Sequence, residues 1–300
     1  MNLFDAISKI CKHTEKNAKM SSYTTFRIGG AADVLCKPEK IEEIKDILKI
    51  AKENNIKPFI IGNGSNLLVS DKGMKGIVIK IGENMSKITI DGERVYAQAG
   101  ALLSKIAYEC TKNSLTGVEN ISGIPASFGG AIYMNAGAYG TEISDVLESV
   151  VAISPDGEIV TLNKEEMNFG YRESIFIQND GYVILSGVLK LKKGVREEIE
   201  EAVKDVTKRR VEKQPLNLPS AGSVFKRPVG HFAGKLIEDA GLKGYSIGGA
   251  RISEKHAGFI VNDNNATAED VLSLIDYAQK TVFEKFGVEI EPEIRLVGEK

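Results

Sequence analysis

Cysteine is scarce in this 300-residue chain, and Cys11, Cys36 and Cys110 include no Cys-x-x-Cys pair. An odd count without that spacing argues against a disulfide framework or a zinc site and for a reducing compartment. The histidines, His13, His231 and His256, show no metal-ligand spacing and no His-Glu-x-x-His, so no metal is expected. Charge of one sign is not in excess either. Thirty-nine basic and 41 acidic residues leave a net charge of −2. That balance removes the global footprint of a nucleic-acid-binding protein, while a local cationic patch for a small anion remains open. No run reads as a membrane span: the longest uncharged stretch, 120–141, holds five Gly, one Pro and two Asn and is too polar. The start, Met-Asn-Leu-Phe-Asp, lacks the basic and apolar regions of a signal peptide. There is no internal repeat and no low-complexity tract. The expectation is a cytoplasmic protein without membrane or nucleic-acid partners, whose 42% hydrophobic residues suffice for a sizeable core.

Glycine, by contrast, supplies 30 of the 300 residues, above the average of about 7%. Thirteen of the 30 lie between Gly62 and Gly140, so backbone freedom is concentrated in one stretch. Around it the pattern is regular. Ile41, Ile44, Leu48 and Ala51 fall at helical spacing and predict a helix over 39–54, followed by a strand over 58–61 that ends at Gly62. A strand is predicted over 76–81. Asp91-Gly92 signals a hairpin between 87–90 and 95–98, ahead of a helix over 101–113. Pro155-Asp156-Gly157 joins strands over 149–154 and 158–162, with a further strand over 183–192. A charged helix over 195–212 ends at Pro215, a candidate domain boundary, and Gly241 stops a short helix over 232–240. Thr267 and Asp270 form a capping box before Val271, Leu274, Ile275, Ala278, Val282 and Phe283. The segment 288–297 alternates, with Val288, Ile290, Ile294 and Leu296 on one face, and predicts a final strand. Strands and helices mix without strict alternation, so the class is α+β. At roughly 150 residues per domain, the length suggests two domains.

Three segments carry chemistry. The first is Gly62-Asn63-Gly64-Ser65-Asn66-Leu67-Leu68, directly after a strand. Its glycines let the backbone turn and present successive N–H groups to an anion. Leu67 breaks the Gly-x-Gly-x-x-Gly pattern and no helical pattern follows, so a Rossmann reading is poor; an ordinary strand-ending turn is the other reading. The second runs Ser122-Gly123-Ile124-Pro125-Ala126-Ser127-Phe128-Gly129-Gly130-Ala131 and continues to Asn135-Ala136-Gly137-Ala138-Tyr139-Gly140. Small, uncharged residues there suit a bulky, phosphate-bearing ligand, or else a tightly packed structural loop. Two such loops suggest a dinucleotide. The third, Ser220 to Pro228, sets Ser223 beside flexible backbone and the cations Lys226 and Arg227. It contains no Gly-x-Ser-x-Gly elbow, and a turn serine is the usual alternative. Arg172 is a candidate carboxylate clamp, although most arginines are solvated, and Glu293 sits on the charged face of the last predicted strand.

In this order the segments resemble the UDP-N-acetylenolpyruvoylglucosamine reductase family of bacterial peptidoglycan synthesis. The likeness starts at Thr24-Thr25-Phe26-Arg27-Ile28-Gly29-Gly30 and includes 62–68, Ser-Gly-Ile-Pro at 122–125 and Tyr-Arg-Glu-Ser at 171–174. It continues through Gly-Ser-Val-Phe-Lys at 222–226 and Ala-Gly-Leu-Lys-Gly at 240–244 to Glu-Pro-Glu at 291–293. The short span from Arg172 to Ser223 resembles the compact subgroup. The resemblance implies a two-part FAD-binding unit of the vanillyl-alcohol-oxidase (PCMH) type plus a third α+β domain for the substrate. The expected division is 1–84 completed by 288–300, then 85–205, then 206–287. By the same resemblance, FAD is held by Gly62, Asn63, Gly64, Ser65, Asn66 and Leu67, by Ser122, Gly123, Ile124, Pro125, Ser127 and Gly129, and by Gly137, Ala138 and Tyr139. The absence of histidine between His13 and His231 makes a non-covalent cofactor the expectation.

The implied reaction reduces UDP-N-acetylglucosamine enolpyruvate to UDP-N-acetylmuramate. NADPH passes hydride to flavin N5, the flavin delivers it to the vinyl carbon, and the carbon beside the carboxylate is then protonated. Ser223 matches the family's proton donor, and Arg172 and Glu293 match the pair that handles the carboxylate and the enolate-like charge. Lys226, Lys243 and His256 fall at substrate-contact positions. A serine is a weak acid near neutral pH, which gives Lys226 an expected role in stabilising the alkoxide. A carboxylate beside a developing anion is unfavourable, so Glu293 is expected to act protonated or through water. Two positions depart from the family: Ala126 stands where glycine is common, and Arg227 where asparagine is usual. A small-molecule UDP-sugar is the expected partner, and a monomer the default state. The rivals are an FAD-dependent alcohol or sugar oxidase of the same superfamily and a non-catalytic nucleotide-binding module.

Overall fold

The computed structural model describes residues 2–179 and 181–299. Met1, the first residue of the expected 1–84 segment, Asp180, within 85–205, and Lys300, the last of 288–300, lie outside them. The chain divides into two units, each assembled from three separate stretches. One comprises 2–15, 35–63 and 77–209; the other comprises 16–34, 64–76 and 210–299.

In the first unit the helical spacing near residue 44 is realised as Ile41–Glu53, which buries Ile44, Ile47 and Ala51. It leads to the strand Phe59–Ile61, which pairs in parallel with the end of Met74–Lys80 in the register Ile61↔Lys80. A five-stranded antiparallel sheet follows, ordered Ile159–Asn163, Leu147–Ile153, Val183–Lys190, Arg94–Gln98, Ile88–Asp91. The hairpin at its edge pairs Asp91 with Arg94, so Gly92 and Glu93 form the turn, one residue beyond the Asp91-Gly92 expectation. Gly92 takes a φ of 59°, which satisfies the left-handed geometry such a tight turn requires. The short helix Phe128–Tyr133 packs on the central strand at Gly187. A Cβ there would stand 3.1 Å from Phe128 Cε1 and 3.3 Å from Ile132 Cδ1, so the bare backbone sets how closely the helix approaches. Helix Arg196–Lys213 buries only Ile199 and Val206, as its charge pattern implies.

In the second unit, strands are ordered Ser220–Ser223, Phe259–Asn262, Ala250–Ile252, Ser246–Ile247. The helix Ala268–Phe286 buries Val271, Leu274, Ile275, Ala278 and Val282, forming one core with Phe26, Ile28, Leu68, Val224 and Phe225. Its start is fixed by the Thr267–Asp270 capping box and its end by Gly287 at φ 67°. The expected long final strand is a correction: only Arg295–Val297 is strand, paired in parallel with Leu67–Val69. Ile290 and Ile294 are buried as the alternation requires, but Leu296 is 49% exposed. Pro292 has no N–H for a continuous ladder and makes an isolated bridge to Phe225, and the three-residue partner at 67–69 limits the strand.

Candidate active site

Within the first unit, the two expected loops meet at Gly62. Asn63 Nδ2 donates to the Pro125 carbonyl at 2.6 Å, and a Cβ at Gly62 would collide with Ser127 Oγ. Ser127 is buried and caps Phe128–Tyr133, accepting from Gly130 N at 3.4 Å. Gly129 N donates to Ala99 O at 2.8 Å, and a Cβ at Gly129 would lie 2.8 Å from that of Ala99. The turn before this cap is held locally. Ser122 Oγ donates to Glu119 O at 2.7 Å, and the Ile124 carbonyl accepts from Ala126 N at 2.8 Å. Ala126, in place of the common glycine, is buried without breaking this turn. The backbone N–H groups of Asn63, Gly123 and Ser127 make no hydrogen bond among the described residues. Lys80 Nζ donates to the Gly62 carbonyl at 2.7 Å.

The 135–140 segment and Arg172 beside it carry backbone strain. Asn135, Tyr139 and Arg172 have φ of 42°, 52° and 58°, a conformation costing about 1–2 kcal/mol for each non-glycine residue. Asn135 is 1% exposed and anchors the group: its Nδ2 donates to Glu142 Oε2 at 2.8 Å and to Gly170 O at 2.9 Å, and its Oδ1 accepts from Ser144 N at 3.1 Å. Arg172 Nη2 donates to Gly137 O at 3.2 Å and Nη1 to Asn135 O at 3.4 Å, with Glu142 Oε1 at 3.9 Å. Ala138 pairs with Thr141 across the turn at Tyr139, and the Arg209 guanidinium lies 4.6 Å over the Tyr139 ring. The structure therefore brings Arg172 onto the expected cofactor segment at Gly137.

Within the second unit, Gly64 is buried with φ 63°; its carbonyl accepts from Thr25 N at 3.3 Å, and a Cβ there would collide with the Tyr23 carbonyl. Its N–H has no partner among the described residues. Ser65 is half-buried. Asn66 joins this loop to the C-terminal segment, Nδ2 donating to Glu293 O at 3.2 Å and its carbonyl accepting from Arg295 N at 2.9 Å. Leu67 pairs with Arg295.

Ser223 and Glu293 are set against each other through Val224. The Val224 carbonyl accepts from Glu293 N at 2.6 Å, while Val224 N donates to Gly258 O at 2.8 Å. A Cβ built on Gly258 would lie 3.4 Å from Ser223 Oγ and 3.1 Å from His256 Nδ1, so the exposed serine and His256 flank one glycine. His256 Nδ1 accepts from Gly258 N at 3.1 Å, and burial pushes its pKa below the ordinary 6.5. Lys226 N donates to Glu291 O at 2.8 Å, and its ammonium stands 3.2 Å from Glu291 Oε2. Lys243 is paired with Glu238 at 2.9 Å, and the two charges act on the His256 ring in opposite directions. Ser223, Lys226, Glu293, His256 and Asn66 thus share one backbone framework. Asn135, Glu142 and Lys80 are the residues that sequence reasoning missed; only the glycine context of Asn135 offered a signal.

Comparison with known proteins gives this geometry its class. The FAD binding domain family matches residues 32–163. A variant of Phl p 4 described as a glucose oxidase shares the fold with a TM-score of 0.50 and 13% identity, covering 75% of this chain and 52% of that one. Fold and family match define an α+β protein with an FAD-binding domain.

The family described as UDP-N-acetylenolpyruvoylglucosamine reductase, C-terminal domain, matches residues 214–297. Reductases of that name from Alkaliphilus oremlandii and Caldanaerobacter subterraneus subsp. tengcongensis are 53% and 50% identical. They align over 94% and 99% of this chain and over 92% and 99% of their own lengths. The crystal structure of UDP-N-acetylenolpyruvylglucosamine reductase from Thermus caldophilus superposes with a TM-score of 0.81 at 36% identity, covering 95% of this chain and 98% of that one. The chain belongs to the UDP-N-acetylenolpyruvoylglucosamine reductase family, enzymes of peptidoglycan synthesis.

The residues present fit FAD. A buried N–H without a partner is costly unless a ligand takes it, and Gly64 carries one. Positions 62 and 129 in the first unit, and 64 in the second, each leave no room for a Cβ, so each is held to bare backbone. No helix among the described residues is long and apolar enough to cross a membrane.

Proposed function

We propose that this chain reduces UDP-N-acetylglucosamine enolpyruvate to UDP-N-acetylmuramate with NADPH as reductant, holding FAD non-covalently. Bound FAD supplies the two-electron carrier between the nicotinamide and the enolpyruvyl double bond. The loops at 62–67 and 122–129, with Gly137, Ala138 and Tyr139, hold it through backbone N–H groups. Arg172, seated on Gly137 and Asn135 by its guanidinium, places a fixed cation for the substrate carboxylate. Ser223 Oγ gives its proton to the carbon next to that carboxylate, and Glu293 orders the carboxylate end. Lys226, His256 and Lys243 bind the rest of the UDP-sugar, with the Lys226–Glu291 pair opening to the solvent. The domain division 1–84 with 288–300, 85–205 and 206–287 belongs to the same proposal.

One observation carries this reading: the ladder from Gly258 through Val224 to Glu293 that fixes Ser223 and Glu293 on adjacent backbone. The test is anaerobic. Purified protein should show flavin absorption, lose it on adding NADPH, and regain it on adding the enolpyruvyl substrate. Reduction by an alcohol or sugar with no response to NADPH would transfer the chain to the oxidase reading instead.

A further inference from the structure

Lys80 is a half-buried cation that the proposed reaction does not use. It ends the strand Met74–Lys80, paired in register with Ile61, and its side chain reaches one residue further along the neighbouring strand to the Gly62 carbonyl, 2.7 Å from Nζ. Among the described residues no carboxylate forms an ion pair with it. Burial lowers its pKa, Lys37 adds to that effect, and Glu83 opposes it. A desolvated ammonium that settles on a carbonyl instead of a carboxylate is poorly compensated. It lies at the start of a loop whose neighbouring N–H groups are unpaired.

The peptide bond supplies the link. In a trans peptide the carbonyl of one residue and the N–H of the next point to opposite sides of a rigid plane. Holding the Gly62 oxygen on Lys80 therefore turns the Asn63 N–H the other way, and that N–H has no partner among the described residues. Gly62 cannot be held by a side chain of its own, because Ser127 Oγ occupies the Cβ position.

We propose that Lys80 is a positioning residue for the cofactor, fixing the Gly62–Asn63 peptide so that the Asn63 N–H meets the phosphates of FAD. This rests on the reading that the 62–66 and 122–130 loops hold FAD. The effect is exerted through peptide orientation, and the positive charge adds to the attraction for an anion.

The test is FAD titration of flavin-free protein, followed by quenching of flavin fluorescence, for wild type, Lys80→Met, Lys80→Arg and Asn63→Asp. Thermal melting of the flavin-free proteins is measured in parallel. Lys80→Met should weaken FAD about 10- to 100-fold, the loss of a hydrogen bond from a charged donor. Lys80→Arg should recover most of that loss, and the flavin-free melting points should stay together. Asn63→Asp sets a negative charge on the loop and should weaken FAD at least as much. Lys80→Met binding FAD like wild type, while Asn63→Asp does not, overturns the Lys80 inference alone. Equal affinity in all four proteins overturns the loop reading itself. A fall in FAD affinity matched by a lower flavin-free melting point, without rescue by arginine, assigns Lys80 a structural role and also overturns the inference.

Discussion

His256 and Ser223 flank Gly258, yet the structure constrains them differently. The Gly258 N–H donates to His256 Nδ1, a bond that a protonated ring cannot accept, and burial also opposes the charged form. The folded state therefore binds fewer protons than the unfolded chain below the ordinary pKa of 6.5. The stability supplied by the neutral ring is present above that value and is lost as pH falls through it. NMR titration of the ring should give a midpoint under 6.5, and His256→Asn should flatten the stability profile between pH 7 and 5; a midpoint above 6.5 contradicts the hydrogen bond. Ser223 is exposed, so Ser223→Ala should fold as wild type while slowing reoxidation of the reduced enzyme by substrate about 10²–10⁴-fold. An unchanged single-turnover rate would remove the proton-donor role. Ser223, Arg172 and Glu293 are proposed from the sequence because each stands in a short, ordered motif. Asn135 and Lys80 are not, since they act through carbonyls and carboxylates that spacing alone does not bring near: Lys80 meets Gly62 eighteen positions away.

Among the elements, periodicity exposes Ile41–Glu53 and Ala268–Phe286 because one face of each is buried throughout, and the capping box marks the start of the second. Alternation overstates the final strand. It persists through Ile294, but a strand also needs a partner, and Leu67–Val69 provides three residues. Sequence periodicity reports burial; pairing length belongs to the neighbour. The helix Phe128–Tyr133 gives an element-scale prediction. It approaches the sheet over Gly187, where valine would press on Phe128, Ile132 and the Ser149 carbonyl. Gly187→Val should cost about 1–3 kcal/mol in denaturant unfolding. It should also weaken FAD binding by displacing the Ser127 cap, whereas a variant that keeps full FAD affinity would separate the helix seat from the cofactor loop.

At the scale of the whole molecule, the two units each draw on stretches far apart in sequence, as the expected return of 288–300 to the 1–84 segment also does. A boundary at Pro215 marks where a chain pauses, but not where it returns to an earlier core. Phe26, Ile28 and Leu68 join the core built by Leu236, Ile237, Val271 and Leu274, and Asn262 Nδ2 donates to the Phe26 carbonyl at 3.2 Å. A fragment of residues 210–299 lacks those contributions and the Asp71 carboxylate that accepts from Ala268 N and Glu269 N at 2.9 and 3.2 Å. It should melt without cooperativity in calorimetry, and a sharp transition in the fragment would show that the early segments are dispensable.

The division into interleaved stretches also sets an order of events during synthesis. Phe26 and Leu68 leave the ribosome long before Val271, Leu274 and Ile294. At ~5–20 residues per second, the wait from Leu68 to the last residue is roughly 10–50 s. The first unit ends at residue 209 and has its full set of strands by then, whereas the second has only its two early stretches, with apolar side chains awaiting partners. Slower translation over the last third of the message should therefore lower the yield of folded protein, because a stalled chain presents those unpaired residues to other nascent chains.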